Sequence, residues 1–170
     1  MDKVITGLEA VNRAVMAFVR WLAVLIVAVQ FIIVLGRYVF GVNSIAAQES
    51  VLYMHATLFM LAGGYTLLID GHVRVDVFYA KFSPRIRAAI NIFGHLFLLM
   101  PSMLALIYWS WPSVANSWAI LEGPIAVGGI KAVFLMKSLI PAFCCLIMLQ
   151  SLACLVRHVR ELTKGSIENA

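Results

Sequence analysis

The sequence predicts an all-α integral membrane protein of four transmembrane helices, with both termini cytoplasmic. Three observations carry that prediction. The 170 residues are 63% hydrophobic and only 12% charged, whereas a soluble domain typically has about a quarter charged residues to cover its surface. Four long apolar stretches, Trp21–Gly36, Ser50–Ile69, Ala88–Trp111 and Ala132–Val156, contain one charge between them, Lys137. All eight Asp and Glu residues lie outside those stretches. Crossing roughly 30 Å of hydrocarbon takes about 20 helical residues, so the spans are placed at about 18–37, 50–69, 88–111 and 132–156, within a single membrane domain covering 1–170.

Residues 2–20 precede the first span. Val4, Ile5, Leu8, Val11, Val15 and Phe18 recur at helical spacing, and Glu9 precedes Arg13 by four residues, the favourable order for a helical ion pair. Two readings stay open: an amphipathic helix lying in the cytoplasmic interface, or an early start of the first span near Ala14. Trp21–Leu35 resembles the core of a signal peptide, but about twenty residues precede it and three spans follow, so it is read as an uncleaved span. Arg20 and Arg37 flank it and can snorkel toward the lipid headgroups.

Gly41, Asn43 and Ser44 make the first external loop turn-friendly. The second span carries Gly63-Gly64, which lets another helix approach closely, either inside this bundle or from a separate subunit. Beyond it comes Asp70-Gly71-His72-Val73-Arg74-Val75-Asp76-Val77. As a continued helix this pairs Asp70 with Arg74 and His72 with Asp76; as an extended segment it puts Arg74 and Asp76 on one face. Either form makes a polar plug, for lipid headgroups or for a partner.

Ser83-Pro84 reads as the cap and first turn of the third helix, which is expected to end near Trp111-Pro112 amid Tyr108, Trp109, Trp111 and Trp118, an interfacial aromatic group. Ser113–Lys131 is then an external loop. In the fourth span Pro141 deprives the Lys137 carbonyl of its amide partner and predicts a kink; Lys137 itself is close enough to the end to snorkel. Cys144, Cys145 and Cys154 read as small packing residues.

Lys and Arg set the orientation. Lys3, Arg13, Arg20, Arg74, Lys81, Arg85, Arg87, Arg157, Arg160 and Lys164 fall on one side, and Arg37, Lys131 and Lys137 on the other. That asymmetry accounts for the net charge of +5 and calls for no nucleic-acid partner.

Nucleophile–base pairs, metal-spaced clusters and phosphate loops are missing from the sequence, so no enzyme and no catalytic, cofactor, metal or substrate residue is predicted. Haem between His55 and His95 is disfavoured by about 14 Å between their expected depths. Gln30, Thr57, Tyr65, Asn91 and Gln150 are expected to form interhelical or backbone hydrogen bonds. Transporters usually keep ionisable groups at mid-depth. This pattern therefore favours a supporting chain over a self-sufficient oligomeric transporter or a haem- or quinone-binding anchor.

Arg37-Tyr38-Val39-Phe40-Gly41, Gln48-Glu49, Gly63-Gly64 and Gly71-His72-Val73-Arg74-Val75-Asp76 together resemble the small membrane subunit of a tripartite ATP-independent periplasmic (TRAP) transporter, the DctQ family. Many members place a tryptophan just before the acidic residue of the first external loop. This chain has Ala46-Ala47-Gln48-Glu49 there, with Tyr53 one turn later. The resemblance implies a bacterial inner-membrane protein that braces a large multispan permease subunit, while a periplasmic binding protein delivers an organic anion. Sodium coupling and substrate sites would then belong to the large subunit. Arg37, Glu49, Gly63, Gly64, His72, Arg74 and Asp76 are the candidates for the partner interface.

Overall fold

A computed structural model describes residues 2–72, 79, 81–124 and 126–167. Among these the chain forms five α-helices and no strand: α1 Asp2–Val39, α2 Ile45–Leu68, α3 Pro84–Phe93, α4 Met100–Ala119 and α5 Val133–Ile167, with a π-helical segment Gly94–Leu99 fusing α3 to α4. Four helical stretches are long and apolar enough to cross a membrane: Ile5–Val39, Ile45–Leu68, Pro84–Ala119 and Val133–Arg160. All are longer than the expected spans. Glu9 and Glu49 consequently fall inside helices, each four residues from a stretch's start, about 6 Å of rise.

α1 passes from residue 2 through the span without a break. The residues it turns inward include Ile5, Leu8, Asn12, Val15, Val19, Leu22, Ile26, Val29, Ile33 and Gly36. Their alternating spacing of three and four is the seam of a left-handed helix pair. Val11 and Phe18, expected on the apolar face, point outward instead, at 43% and 72% exposure. After Leu8 and Val15 the next seam positions are Asn12 and Val19, so Val11 and Phe18 each fall one residue short of the seam. Polar Asn12 occupies the seam position between Leu8 and Val15.

α5 is the spine, packed by α1, α2, α3, the π segment and α4. It supplies most of the buried core, including Cys144, Leu146, Ile147, Gln150, Ser151, Ala153 and Cys154. It runs through Pro141 as one helix, where the lost amide bond is tolerated because neighbouring helices cover the site. On one side of the spine lie α1 and α2, on the other the α3–α4 span.

One helix end decides between the forms left open by the sequence, and another differs from expectation. α2 stops at Leu68: Gly71 N donates to Thr66 O (2.8 Å) and Asp70 N to Leu67 O (3.2 Å), with Asp70 at φ 57°. These are the paired bonds of a Schellman closure, so α2 closes at Asp70-Gly71 and does not continue past it. α4 does not stop at Pro112 but reaches Ala119. There the same closure recurs, Glu122 N to Ser117 O (2.9 Å) and Leu121 N to Trp118 O (3.3 Å), with Leu121 at φ 46°. Pro112 costs one backbone bond, but the turns beyond it bury Val114 and Ser117. The π segment has a parallel cause. Pro101 has no amide hydrogen for the Phe97 carbonyl, and just ahead of it the ladder widens so that Met100 N bonds His95 O, five residues back.

Gly63 and Gly64 are packed within the chain. A Cβ on Gly64 would collide with Asn12 Oδ1 and crowd Leu146; one on Gly63 would lie 2.6 Å from the Phe143 ring. Gly64→Ala is expected to cost about 1–3 kcal/mol of stability through overpacking. Gly36→Ala, whose nearest contact would be 3.7 Å away, should be nearly neutral. Thermal unfolding in detergent, with equal midpoints for the two variants as the opposing outcome, checks this.

Candidate functional site

Polar side chains gather at the two ends of the bundle. At the end holding both termini they form a seam along α5. Asn12 Nδ2 donates to Gln150 Oε1 (3.1 Å) and to Leu146 O (3.4 Å), and both amide side chains are fully buried. At the next residue, Ser151 Oγ meets His95 Nδ1 (2.9 Å). His158 Nδ1 lies 2.8 Å from the Cys154 carbonyl, which can only accept, so this nitrogen carries the proton. His158 Nε2 is then free to accept from Asn91 Nδ2 (2.9 Å), whose other hydrogen goes to Tyr79 OH (2.8 Å). The chain ends on a backbone carbonyl, so it fastens α3 to α5 and offers no relay for protons. Arg157 pairs with Glu9, which also holds Arg13 (3.4 Å), tying α1 to α5 at the same level.

Beside this seam opens a cleft of about 750 Å³, lined by groups that include Asp70, His72, Arg87, Asn91, His95 and His158. The His95 and His158 rings are tilted by 36° to one another, centroids 6.0 Å apart. Among the described residues no group of three or more His, Cys, Asp or Glu could hold a metal ion.

At the far end two carboxylates brace the α4–α5 connection. Glu49 Oε2 accepts from Ile130 N (2.6 Å), and Tyr53 OH reaches Ile130 O (3.5 Å). Glycine at 129 is what lets Glu49 approach, since a Cβ there would lie 2.5 Å from its carboxylate. Glu122 Oε2 takes hydrogen bonds from Lys137 Nζ (2.5 Å) and Ser117 Oγ (2.6 Å), while Glu122 O caps Val133 N (3.1 Å) at the start of α5. Lys137 is therefore neutralised in place. Trp118 Nε1 donates to Ser138 Oγ (2.7 Å), with its ring edge-on to Phe134.

The residues singled out in the sequence are scattered. Arg37 is exposed near the far end of α1, Glu49 is engaged in the loop brace, and Gly63 and Gly64 sit between helices. His72 is exposed at the cleft, and Arg74 and Asp76 lie outside the described residues. The depth argument against a shared haem changes, because both helices begin earlier than expected. His55 is about 15 Å along α2 and His95 about 16 Å from the start of α3. What separates them is α5: His55 faces outward from α2, while His95 bonds Ser151 on the spine's other side. Thr57, Asn91 and Gln150 make the expected hydrogen bonds, but Gln30 and Tyr65 make none among the described residues. Asn12, Ser151 and His158 were not anticipated. The stripe Cys144, Ile147, Ser151, Cys154, His158, again spaced by threes and fours, was the available signal.

The Lys137 and Ser117 hydrogen bonds hold the Glu122 carboxyl below its ordinary value of 4.5. A lowered folded-state value means that the brace stabilises above the unfolded value and is lost as pH falls through the folded one. Glu122→Gln is accordingly expected to lower the thermal midpoint at pH 7 and to converge on the parent protein as pH falls below 4.5 and through the carboxyl's lowered folded-state value. Melting curves followed by tryptophan fluorescence between pH 3 and 7 check this; a constant difference across that range would contradict it.

Comparison with curated proteins and with solved structures gives no match. A family model, "Tripartite ATP-independent periplasmic transporters, DctQ component", matches residues 26–161. That match runs from within α1 to within α5, 136 of the 170 residues, so the chain belongs to the DctQ family of TRAP transporter components.

Proposed function

We propose that this chain is the small scaffold subunit of a sodium-coupled TRAP transporter. It would brace the large permease subunit during import of an organic anion delivered by a periplasmic binding protein. The observation that carries this reading is how the polar groups along α5 are used. Asn12 with Gln150, Ser151 with His95, and His158 with Asn91 are bonded across helix contacts, and Glu9, Glu122 and Lys137 are paired at the ends. A bundle whose polar groups are spent on holding its helices is suited to be a fixed wall. Sodium and substrate are then handled by the large subunit.

In this reading the chain lies in a bacterial inner membrane. The end with Glu9 and Arg157 is cytoplasmic, following the distribution of Lys and Arg. The far-end loop held by Glu49 and Glu122 faces the periplasm, where exposed Val127 and Arg37 are available to the binding protein. His72, Arg74 and Asp76 meet the large subunit or lipid headgroups at the cytoplasmic face.

Reconstitution of the large subunit and binding protein with and without this chain tests the role. Sodium-driven uptake is expected to collapse when the chain is omitted, and full-rate uptake without it would refute the proposal. For the cytoplasmic contact, Arg74→Ala or Asp76→Ala should reduce co-purification of the large subunit; unchanged yield together with unchanged uptake would count against it.

A further inference from the structure

We propose that the outward stripe of α2 centred on His55 receives a transmembrane helix of the large permease subunit, and that this helix brings a hydrogen-bonding side chain to His55 near mid-membrane. The inference rests on the scaffold reading above and adds the face through which the scaffold is joined.

α2 is covered almost all round. Within it only Ile45, Gln48, Leu52, His55 and Phe59 are exposed, again at spacings of three and four. Leu52 and Phe59, flanking His55 by one turn, are 55% and 73% exposed. Such a stripe is the geometry of one more helix-packing seam, bounded on both sides by residues already packed in this chain.

The polar residue at its centre says what kind of neighbour fits. His55 lies within about 2 Å of the midpoint of α2 along the axis and makes no hydrogen bond among the described residues. Hydrocarbon offers an imidazole no donor or acceptor, and ionisable side chains at such depth normally face protein. A purely apolar lipid annulus is thus a poor complement to this stripe, whereas a helix with an amide, hydroxyl or carboxyl at matching depth is a good one. Gln30 on α1 is likewise exposed and without a hydrogen bond among the described residues. α1, however, exposes much of its circumference, so Gln30 defines no single face.

The test uses the assembled complex in its native membrane. A photo-reactive phenylalanine analogue is placed at Leu52 or Phe59, with Leu104 on α4, 57% exposed, as the comparison site. Crosslinks from 52 and 59 to the large subunit, with few from 104, are expected. Crosslinks only to lipid, only to a second copy of this chain, or to the large subunit only from 104 would each overturn the proposal. His55→Leu should weaken association roughly three- to tenfold, the range of one interhelical hydrogen bond, and His55→Gln should restore most of it. The isolated chain carrying His55→Leu should keep its thermal midpoint, because no internal bond is removed. Full association of His55→Leu would also refute the contact. Failure here leaves the reconstitution result intact, since uptake can depend on this chain whichever face it uses. Uptake without the chain would instead remove the scaffold reading and leave the crosslinks to report the neighbour of α2.

Discussion

The hydrogen bond between Asn12 and Gln150 joins two fully buried amides across α1 and α5, and the rest of the bundle is built around that join. Apolar side chains alone give membrane helices little preference for one register, because lipid tails solvate them as well as a neighbouring helix does. A buried amide at a seam position does discriminate, since a shift along the axis would strand it without a partner. Asn12 sits at such a position and abuts the bare backbone of Gly64, so one residue sets α1 against both α5 and α2. Its Oδ1 has no hydrogen-bond donor among the described residues. That strengthens the demand for glycine at 64, where any side chain would collide with the oxygen.

From this join the seam continues along α5 through Ser151 to His158, fastening the α3–α4 span on the opposite side. Pro101 and the π turn it provokes belong to the same arrangement, because that turn includes His95, the residue that meets Ser151. The far end is held differently, by carboxylates acting on loop backbone. Glu49 and Glu122 close the α4–α5 connection over the tips of α2 and α5. One end is thus held chiefly by neutral side chains between helices, the other by charges where the helices meet polar surroundings.

A component of a tripartite transporter has to present some surfaces to partners and keep others for itself. Most polar groups in the bundle belong to the second class, and the proposed scaffold role rests on that. Gln30 and His55 do not belong to it, and the narrow outward stripe of α2 around His55 is the clearest place where the fold looks unfinished by itself.

The sequence by itself determined the class of protein and its family. Apolar stretches of membrane-spanning length survive any local rearrangement, and motifs such as Arg37-Tyr38-Val39-Phe40-Gly41 are read without coordinates. Helix ends were less legible: Pro112 looked like a stop but lies inside α4, and Asp70-Gly71 looked able to continue α2 but closes it. The first outcome depends on the burial of Val114 and Ser117 beyond Pro112, the second on the left-handed backbone of Asp70, and spacing reports neither. Only the tertiary structure decided which polar residues matter to each other. Asn12 and Gln150 are 138 residues apart, and Glu49 meets the backbone of Ile130 from 81 residues away. Composition says that such groups must find partners in a medium without water; the packing of α1, α2 and α4 around α5 says which partners they find.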